Sequence, residues 1–119
     1  MSSGFEYFLD NKAINATDYP YTAAQGTCIS DYYNATDVSA QRWNWITSYD
    51  GNQIKAALNK GPVGVAINGG SFFFNHYKSG IFNCTRSSCG NSVTDLNHAV
   101  LLVGYGVEED GSEYFILKN

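Results

Sequence analysis

The chain has 119 residues, enough for one domain with a small hydrophobic core. Its 44% of hydrophobic and 15% of aromatic residues are typical of a folded globular protein and exclude a disordered tail. A net charge of −4, with seven Lys and Arg that form no cluster, argues against nucleic-acid and anionic-membrane partners, and no apolar run reaches the ~18 residues of a membrane-spanning helix.

The first predicted element is an amphipathic helix over residues 2–12. Its apolar residues recur at helical spacing and share one face: Met1, Phe5, Phe8 and Leu9. A segment rich in Gly, Pro, Asn and Asp follows and predicts a loop to residue 37. Residues 42–47 then alternate as in a strand. We therefore place a domain boundary near residue 40, between a helical part and a β-rich part.

Residues 50–62 carry the clearest helix signals in the chain. Asp50 is a candidate N-cap, Gln53 follows three positions later, and Pro62 forbids continuation of the helix. Residues 63–67 alternate branched and small side chains, which predicts a strand with Val63, Val65 and Ile67 on one face.

An aromatic block occupies residues 72–77, and we interpret its phenyl rings as core. His76 lies in this block without a carboxylate or cysteine at ligand spacing. We therefore expect His76 to be an exposed structural residue, and we predict no metal site in the chain.

The last two predicted elements form a hairpin. The apolar run that begins at Ala99 is short and typical of a strand buried on both faces, and His98 immediately precedes it. An acidic loop over 107–112 leads to an aromatic and branched strand over 113–119. Antiparallel pairing would set His98 roughly opposite Asn119, whose amide oxygen could accept a hydrogen bond from the ring and fix its tautomer.

Together these two strands resemble the histidine and asparagine strands of the papain-like cysteine proteases of the cathepsin L type. The matching segments are Leu-Asn-His-Ala-Val-Leu-Leu-Val-Gly-Tyr-Gly at 96–106 and Tyr-Phe-Ile-Leu-Lys-Asn at 114–119, and the similarity extends along nearly the whole chain. The resemblance implies an α+β, papain-like fold, with a remnant of the helical left-hand domain over 1–40 and the β-barrel-like right-hand domain over 41–119.

The resemblance also implies a function, namely hydrolysis of peptide bonds by thiolate acyl transfer in a cysteine endopeptidase. His98 would be the acid/base and Asn119 the residue that orients it. The implied partners are a peptide or protein substrate and a pro-segment or protein inhibitor. No cofactor is implied, and we expect a monomer.

The nucleophilic cysteine is expected outside these residues. In the family the histidine follows the nucleophile by ~130–150 residues, which puts the nucleophile roughly 30–50 residues before Met1. The segment at Cys28 imitates the nucleophile signature, but Ile29 replaces a glycine and Asp31 stands at the nucleophile position. We therefore expect the chain to begin and end inside a longer protein and to be inactive as a peptidase by itself.

The resemblance assigns four residues to substrate binding. Met1, Ala66 and Leu96 would line an apolar pocket for the second residue on the acyl side of the cleaved bond. Asn97 stands where papain has an aspartate.

Three cysteines are an odd number, which in a secreted protein suggests a missing partner. By resemblance, Cys28 and Cys89 are disulfide half-cystines whose partners lie before Met1 and after Asn119. For Cys84, a bridge to Cys89 and a free thiol both remain open.

Three Asn-X-Thr triplets fall in predicted loops and are candidate glycosylation sites: Asn15, Asn34 and Asn83. Such triplets also occur by chance. Together with the odd cysteine count they favour a lysosomal, vacuolar or extracellular protein.

Two other interpretations remain open. A non-catalytic papain-like homologue could act as a secreted binding or structural protein, although retention of both His98 and Asn119 counts against it. The chain could also be an unrelated glycosylated β-rich module with a structural histidine. In that case the match of both strands to the papain-like family would be a coincidence.

Overall fold

The computed structural model describes residues 1–28, 34–90 and 92–119. By their contacts they form two compact units, Met1–Trp45 and Ile46–Asn119. The helices are α1 (Ser2–Asp10), α2 (Gly51–Leu58), α3 (Phe72–Asn75), α4 (Arg86–Cys89) and a 3-10 turn (Val93–Asp95), and the strands are β1 (Val63–Ile67), β2 (His98–Val107) and β3 (Glu113–Lys118). None of the helices in these three ranges has the length and apolar character to cross a bilayer.

In the first unit, α1 forms as predicted. Phe5 on its apolar face stacks on Trp43, with 6.2 Å between the ring centroids. Residues 42–47 form no strand, so that prediction is wrong. The physical reason is local ring packing. Trp43 contacts Trp45 edge to face at 5.2 Å as well as Phe5 of α1, and the segment makes these ring contacts instead of pairing its backbone in a sheet.

The second unit begins with the predicted helix α2. Asp50 is its N-cap, and the carboxylate accepts a hydrogen bond from Gln53 N at 3.0 Å. The Gln53 side chain accepts in turn from Thr47 N at 3.2 Å, so it fixes the chain that enters the helix. Lys55 Nζ lies 2.8 Å from Glu113 Oε1 and joins α2 to β3.

The three strands form an antiparallel sheet in the order β1-β2-β3. Branched residues face each other across β1 and β2, where Val63 pairs with Leu102 and Val65 with Val100. This confirms the predicted face of β1. Val100 and Leu102 are 7% and 5% exposed and are the buried hydrophobic residues among those described.

The opposite face of β2 is more open than the sequence suggested. Ala99 and Val103 are exposed and Leu101 is half-buried. The prediction that β2 is buried on both faces is therefore wrong, because the described residues of the second unit pack against Val100 and Leu102 and leave Ala99 and Val103 open to solvent.

The β2–β3 turn is held by hydrogen bonds around Asp110. Glu108 N donates to Ser112 O at 2.9 Å, and Ser112 N donates to Asp110 Oδ1 at 2.8 Å. The hydrogen bonds from the backbone and side chain of Ser112 lower the pKa of the Asp110 carboxyl below its ordinary value. Gly111 has φ +85°, a conformation that favours glycine.

Between β1 and β2 the chain forms short helices. Phe72 and Phe73 on α3 are 67% and 50% exposed, so the interpretation of these rings as core is wrong. A single helical turn can bury one side, and here Phe74 is half-buried against Phe82 at 5.8 Å. The 3-10 turn before β2 begins with a capping box between Ser92 and Asp95.

Candidate active site

His98 and Asn119 form a hydrogen-bonded pair at one end of the hairpin. His98 Nε2 lies 2.8 Å from Asn119 Oδ1. His98 is the first residue of β2 and is exposed, whereas Val100, on the same face of the strand, is buried. The imidazole therefore lies at the rim of the core, where a reacting group can reach it.

The pairing that brings the two side chains together differs from the predicted one. The β2–β3 ladder pairs Leu101 with Lys118, so one further step places Asn119 opposite Val100. His98 is two positions away on the same face. The turn lies further along the chain than the sequence suggested, and the β-bulge between Leu102 and Gly104 takes back one position of that shift, which returns Asn119 to the face of His98. A diagonal contact of this kind is within reach of long side chains.

The hydrogen bond determines which ring nitrogen is available for chemistry. The Oδ1 atom of Asn119 is an acceptor, so Nε2 of the neutral His98 ring carries the hydrogen and donates it. The other nitrogen, Nδ1, then has a lone pair and can accept a proton. The pair thus presents Nδ1 as a base and, once protonated, as an acid.

Gly69 packs directly against the His98 side chain. A Cβ added to Gly69 would lie 2.6 Å from His98 Cβ and 2.9 Å from Cγ. Sequence reasoning missed this residue because a Gly-Gly pair after a strand indicates a turn. The signal that could have found it is the rule that glycine in such a place allows close approach of another group.

Asn97, predicted to bind substrate, has its side chain in two hydrogen bonds. Its Oδ1 accepts from Gly70 N at 3.2 Å, and its Nδ2 donates to Asn68 Oδ1 at 3.3 Å. Its backbone N donates to Ile67 O at 3.1 Å. Asn97 is exposed, and its amide keeps one N–H and one lone pair beyond these bonds, so its role in substrate binding stays a prediction.

The three predicted pocket residues divide between the two units. Met1 lies in the first unit, and Ala66 and Leu96 lie in the second. Ala66 pairs with Ala99 across β1 and β2, on the face opposite to His98, and both alanines are exposed. Ala99 was not among the predicted pocket residues, although its pairing with Ala66 places the two side chains on the same face of the sheet.

The cysteines differ from the implied pattern in one respect. Cys89 is bonded to Cys84, with 5.9 Å between the Cα atoms, whereas the resemblance implied a partner after Asn119. The turn formed by α4 brings the two cysteines together, and spacing had left this bridge open. Cys28 is exposed and lies in the first unit. Ile29 and Asp31 lie outside the described residues.

The remaining predicted sites are at the surface. All three candidate glycosylation sites are exposed: Asn15, Asn34 and Asn83. His76 is exposed as expected, with its Nδ1 2.8 Å from Phe72 O. Within residues 1–28, 34–90 and 92–119, no three or more His, Cys, Asp or Glu side chains gather as a metal site would require.

Comparison with known proteins identifies the family. The family model described as papain family cysteine protease matches residues 1–119. Germination-specific cysteine protease 1 of Arabidopsis thaliana is 39% identical over 120 residues, which cover 100% of this chain and 30% of that protein. Cysteine proteinase 1 of Entamoeba histolytica is 36% identical over 118 residues, which cover 99% of this chain and 36% of that protein.

A solved structure agrees with the predicted papain-like α+β fold. The structure of the bromelain protease from Ananas comosus in complex with the E64 inhibitor matches with a TM-score of 0.79 and 34% sequence identity, over 97% of this chain and 50% of that chain. The chain spans about a third of the length of the curated relatives it matches. Since the family model matches every residue, the chain belongs to the papain family of cysteine proteases.

Proposed function

We propose that this chain carries the acid/base part of a cysteine endopeptidase of the papain and cathepsin L type. The observation that carries the proposal is the 2.8 Å hydrogen bond between His98 Nε2 and Asn119 Oδ1 at the exposed end of the hairpin. An exposed histidine with no part in chemistry would have no need of an amide that fixes its tautomer.

In the proposed reaction His98 Nδ1 takes the proton of a cysteine thiol, which leaves a thiolate and an imidazolium. The thiolate attacks the carbonyl carbon of the peptide bond, and the imidazolium returns the proton from Nδ1 to the leaving amine as the C–N bond breaks. Neutral His98 then takes a proton from water as the water oxygen attacks the thioester carbon; the C–S bond breaks to release the acid and the thiolate, and the imidazolium returns its proton to the thiolate. Asn119 holds Nε2–H throughout, so that Nδ1 stays directed at the reacting atoms.

The nucleophile of this reaction is proposed to lie in a segment outside residues 1–119. Cys84 and Cys89 are bonded to each other and cannot supply a thiolate in that state. The sequence around Cys28 departs from the nucleophile pattern. The 119 residues alone are therefore expected to be inactive.

The rest of the proposal concerns recognition and location. Met1, Ala66 and Leu96 are proposed to line an apolar pocket, and Asn97 to contact the substrate backbone, in a molecule that joins the helical domain over 1–40 to the β-rich domain over 41–119. The exposed Asn15, Asn34 and Asn83 fit a glycosylated protein of a lysosome, a vacuole or the extracellular space. Its partners would be a peptide or protein substrate and a pro-segment or protein inhibitor.

The test uses the longest native polypeptide that contains residues 1–119. Cleavage of peptides with an apolar residue in the second position on the acyl side is measured with and without iodoacetamide, which alkylates thiolates. We expect alkylation to abolish cleavage, and His98→Ala to lower kcat/KM by at least ~10²-fold. His76→Ala is the matched control and should leave kcat/KM unchanged.

Three results would contradict parts of the proposal. Full activity of His98→Ala would remove His98 from the chemistry. A native polypeptide that binds peptides but cleaves none would favour the non-catalytic homologue. Thiol-dependent cleavage by the 119 residues alone would refute their expected inactivity.

A further inference from the structure

A directional row of hydrogen bonds runs beside His98, and we call it the amide relay. Gly70 N donates to Asn97 Oδ1 at 3.2 Å, Asn97 Nδ2 donates to Asn68 Oδ1 at 3.3 Å, and Asn68 Nδ2 donates to Cys89 O at 2.7 Å. The relay joins three segments that are distant in sequence: the end of β1, the disulfide loop and the approach to β2.

The two ends of the amide relay fix the orientation of both side-chain amides. A backbone N–H at Gly70 can only donate, and a backbone carbonyl at Cys89 can only accept. Both Asn97 and Asn68 must therefore present oxygen toward Gly70 and nitrogen toward Cys89. Hydrogen bonds aligned in this way polarise one another, and an acceptor-only side chain in the middle would break the row.

The segment 68–70 connects the amide relay to the imidazole of His98. Gly69 lies between two relay residues and is in close contact with the His98 side chain, so a shift of this segment moves the surface on which the ring rests. Asn97, the residue before His98, is also held at its backbone, where its N–H donates to Ile67 O at 3.1 Å. The position of the ring thus depends on where the relay holds the segment 68–70.

The far end of the relay is anchored in the loop closed by the Cys84–Cys89 disulfide. Gly90 has φ +64°, and a Cβ there would lie 3.1 Å from Asn68 Nδ2, so the loop packs directly on the amide of Asn68. The hydroxyl of Ser71, a buried residue, lies 3.5 Å from Cys89 Sγ. The anchor is therefore a packed and covalently closed loop.

We propose that Asn68 is a positioning residue for the peptidase reaction: through the amide relay it holds the segment 68–70 against His98, and so keeps Nε2 of the ring on Asn119. Asn68 does not touch the reacting atoms. This inference rests on the proposed role of His98, and it adds a connection from the disulfide loop to the catalytic ring.

The test measures the tautomer of His98 by NMR in the 119-residue chain labelled with ¹⁵N-histidine. The ring ¹⁵N shifts are recorded at a pH where the ring is neutral, and they give the ratio of the Nε2–H to the Nδ1–H form. Asn68→Leu removes the two relay hydrogen bonds that Asn68 makes, to Asn97 and to Cys89. Asn68→Asp keeps the shape of the side chain but places an oxygen against Cys89 O. We expect each variant to lower the ratio by about two- to tenfold, the equivalent of one hydrogen bond.

The controls separate positioning from general stability. Asn52→Asp makes the same chemical change at an exposed position of α2 and should leave the His98 ratio unchanged, and the His76 signals report the fold in every variant. A purely structural role of Asn68 would lower stability but leave the His98 ratio as in the wild type, and this result would overturn the proposal.

Two further measurements keep the result interpretable. In the wild type, the Gly70 amide should exchange with solvent at least ~10-fold more slowly than the amides of Glu109 and Asp110, which donate none of the hydrogen bonds of the exposed turn, and equal exchange would refute the relay even if no Asn68 variant folds. Asn119→Ala should also lower the His98 ratio. If Asn119→Ala leaves it unchanged, the proposed His98–Asn119 pair itself fails, independently of Asn68.

Discussion

Asn119 Oδ1 lies 2.8 Å from His98 Nε2 although the two residues are not partners in the β2–β3 ladder. The contact is diagonal and depends on the side chain of Asn119 reaching along the strand. A shorter side chain at this position cannot make the bond.

We therefore expect Asn119→Ala to lower kcat/KM of the longest native polypeptide by about 2- to 10-fold or more, because the ring loses the acceptor that fixes its tautomer. Steady-state kinetics with a peptide substrate check this. Asn52→Ala is the matched control for loss of an exposed amide, and an Asn119→Ala enzyme with unchanged kcat/KM would show that the ring is oriented by other contacts.

The buried face of the sheet gives a stability prediction. Leu102 is 5% exposed between β1 and β3, so Leu102→Ala should lower the free energy of unfolding by about 2–4 kcal/mol through lost burial and a cavity. Val103→Ala, at an exposed position of the same strand, should change it by less than ~0.5 kcal/mol. Urea denaturation followed by circular dichroism measures both, and equal effects would contradict the one-sided burial of β2.

The N-cap of α2 gives a second stability prediction. Asp50→Ala removes the acceptor of Gln53 N and should cost about 0.5–2 kcal/mol in the free energy of unfolding. Thermal unfolding compares this variant with Asn52→Ala, in the first turn of the same helix, which should match or slightly exceed the wild type. A neutral Asp50→Ala would mean that the capping bond contributes no net stability.

The β2–β3 turn predicts a pH dependence. Hydrogen bonds from Ser112 lower the pKa of Asp110 from its ordinary value of 3.8. The folded state thus favours the carboxylate, so this contribution to stability is complete above the ordinary pKa and is lost as pH falls through the lowered pKa. Because Asp110 is fully exposed, solvent screening keeps the effect small.

Asp110→Ala should accordingly lower the melting temperature at pH 7, and the difference from the wild type should narrow as the pH drops below about 4. Thermal unfolding over a pH series measures this, with Glu109→Ala as a neighbouring exposed carboxylate. A difference that stays constant or widens in acid would contradict the assigned sign.

Local patterns accounted for the parts of the fold that sequence reasoning predicted. The cap at Asp50, the alternation of β1 and the hairpin are each determined by neighbours within a few residues. The contact of His98 with Asn119 followed from the hairpin, although the two share a face only because the β-bulge between Leu102 and Gly104, which the sequence did not indicate, corrects the register by one residue.

Features that depend on side-chain packing or on contacts between distant segments could not be predicted in this way. The indoles of Trp43 and Trp45 pack locally, which overrides the strand-like alternation around them. The hydrogen bond from Asn97 to Asn68 joins residues in different segments, and asparagines in loops usually indicate turns. Gly69 was interpreted as part of a turn for the same reason, since the residue that approaches it, His98, lies much later in the chain.

The alternation of β2 places His98 on one face of the sheet and Ala99, beside Ala66, on the other. The proposed acid/base residue, His98, and a neighbour of the proposed substrate pocket, Ala99, are thus adjacent in sequence but lie on opposite faces of the sheet. A slip of the β2 pairing by one residue would exchange these two faces, turning the imidazole toward the proposed pocket and an alanine methyl toward Asn119. We therefore expect a one-residue change of register in this strand to separate His98 from Asn119, whichever residues occupy its other face.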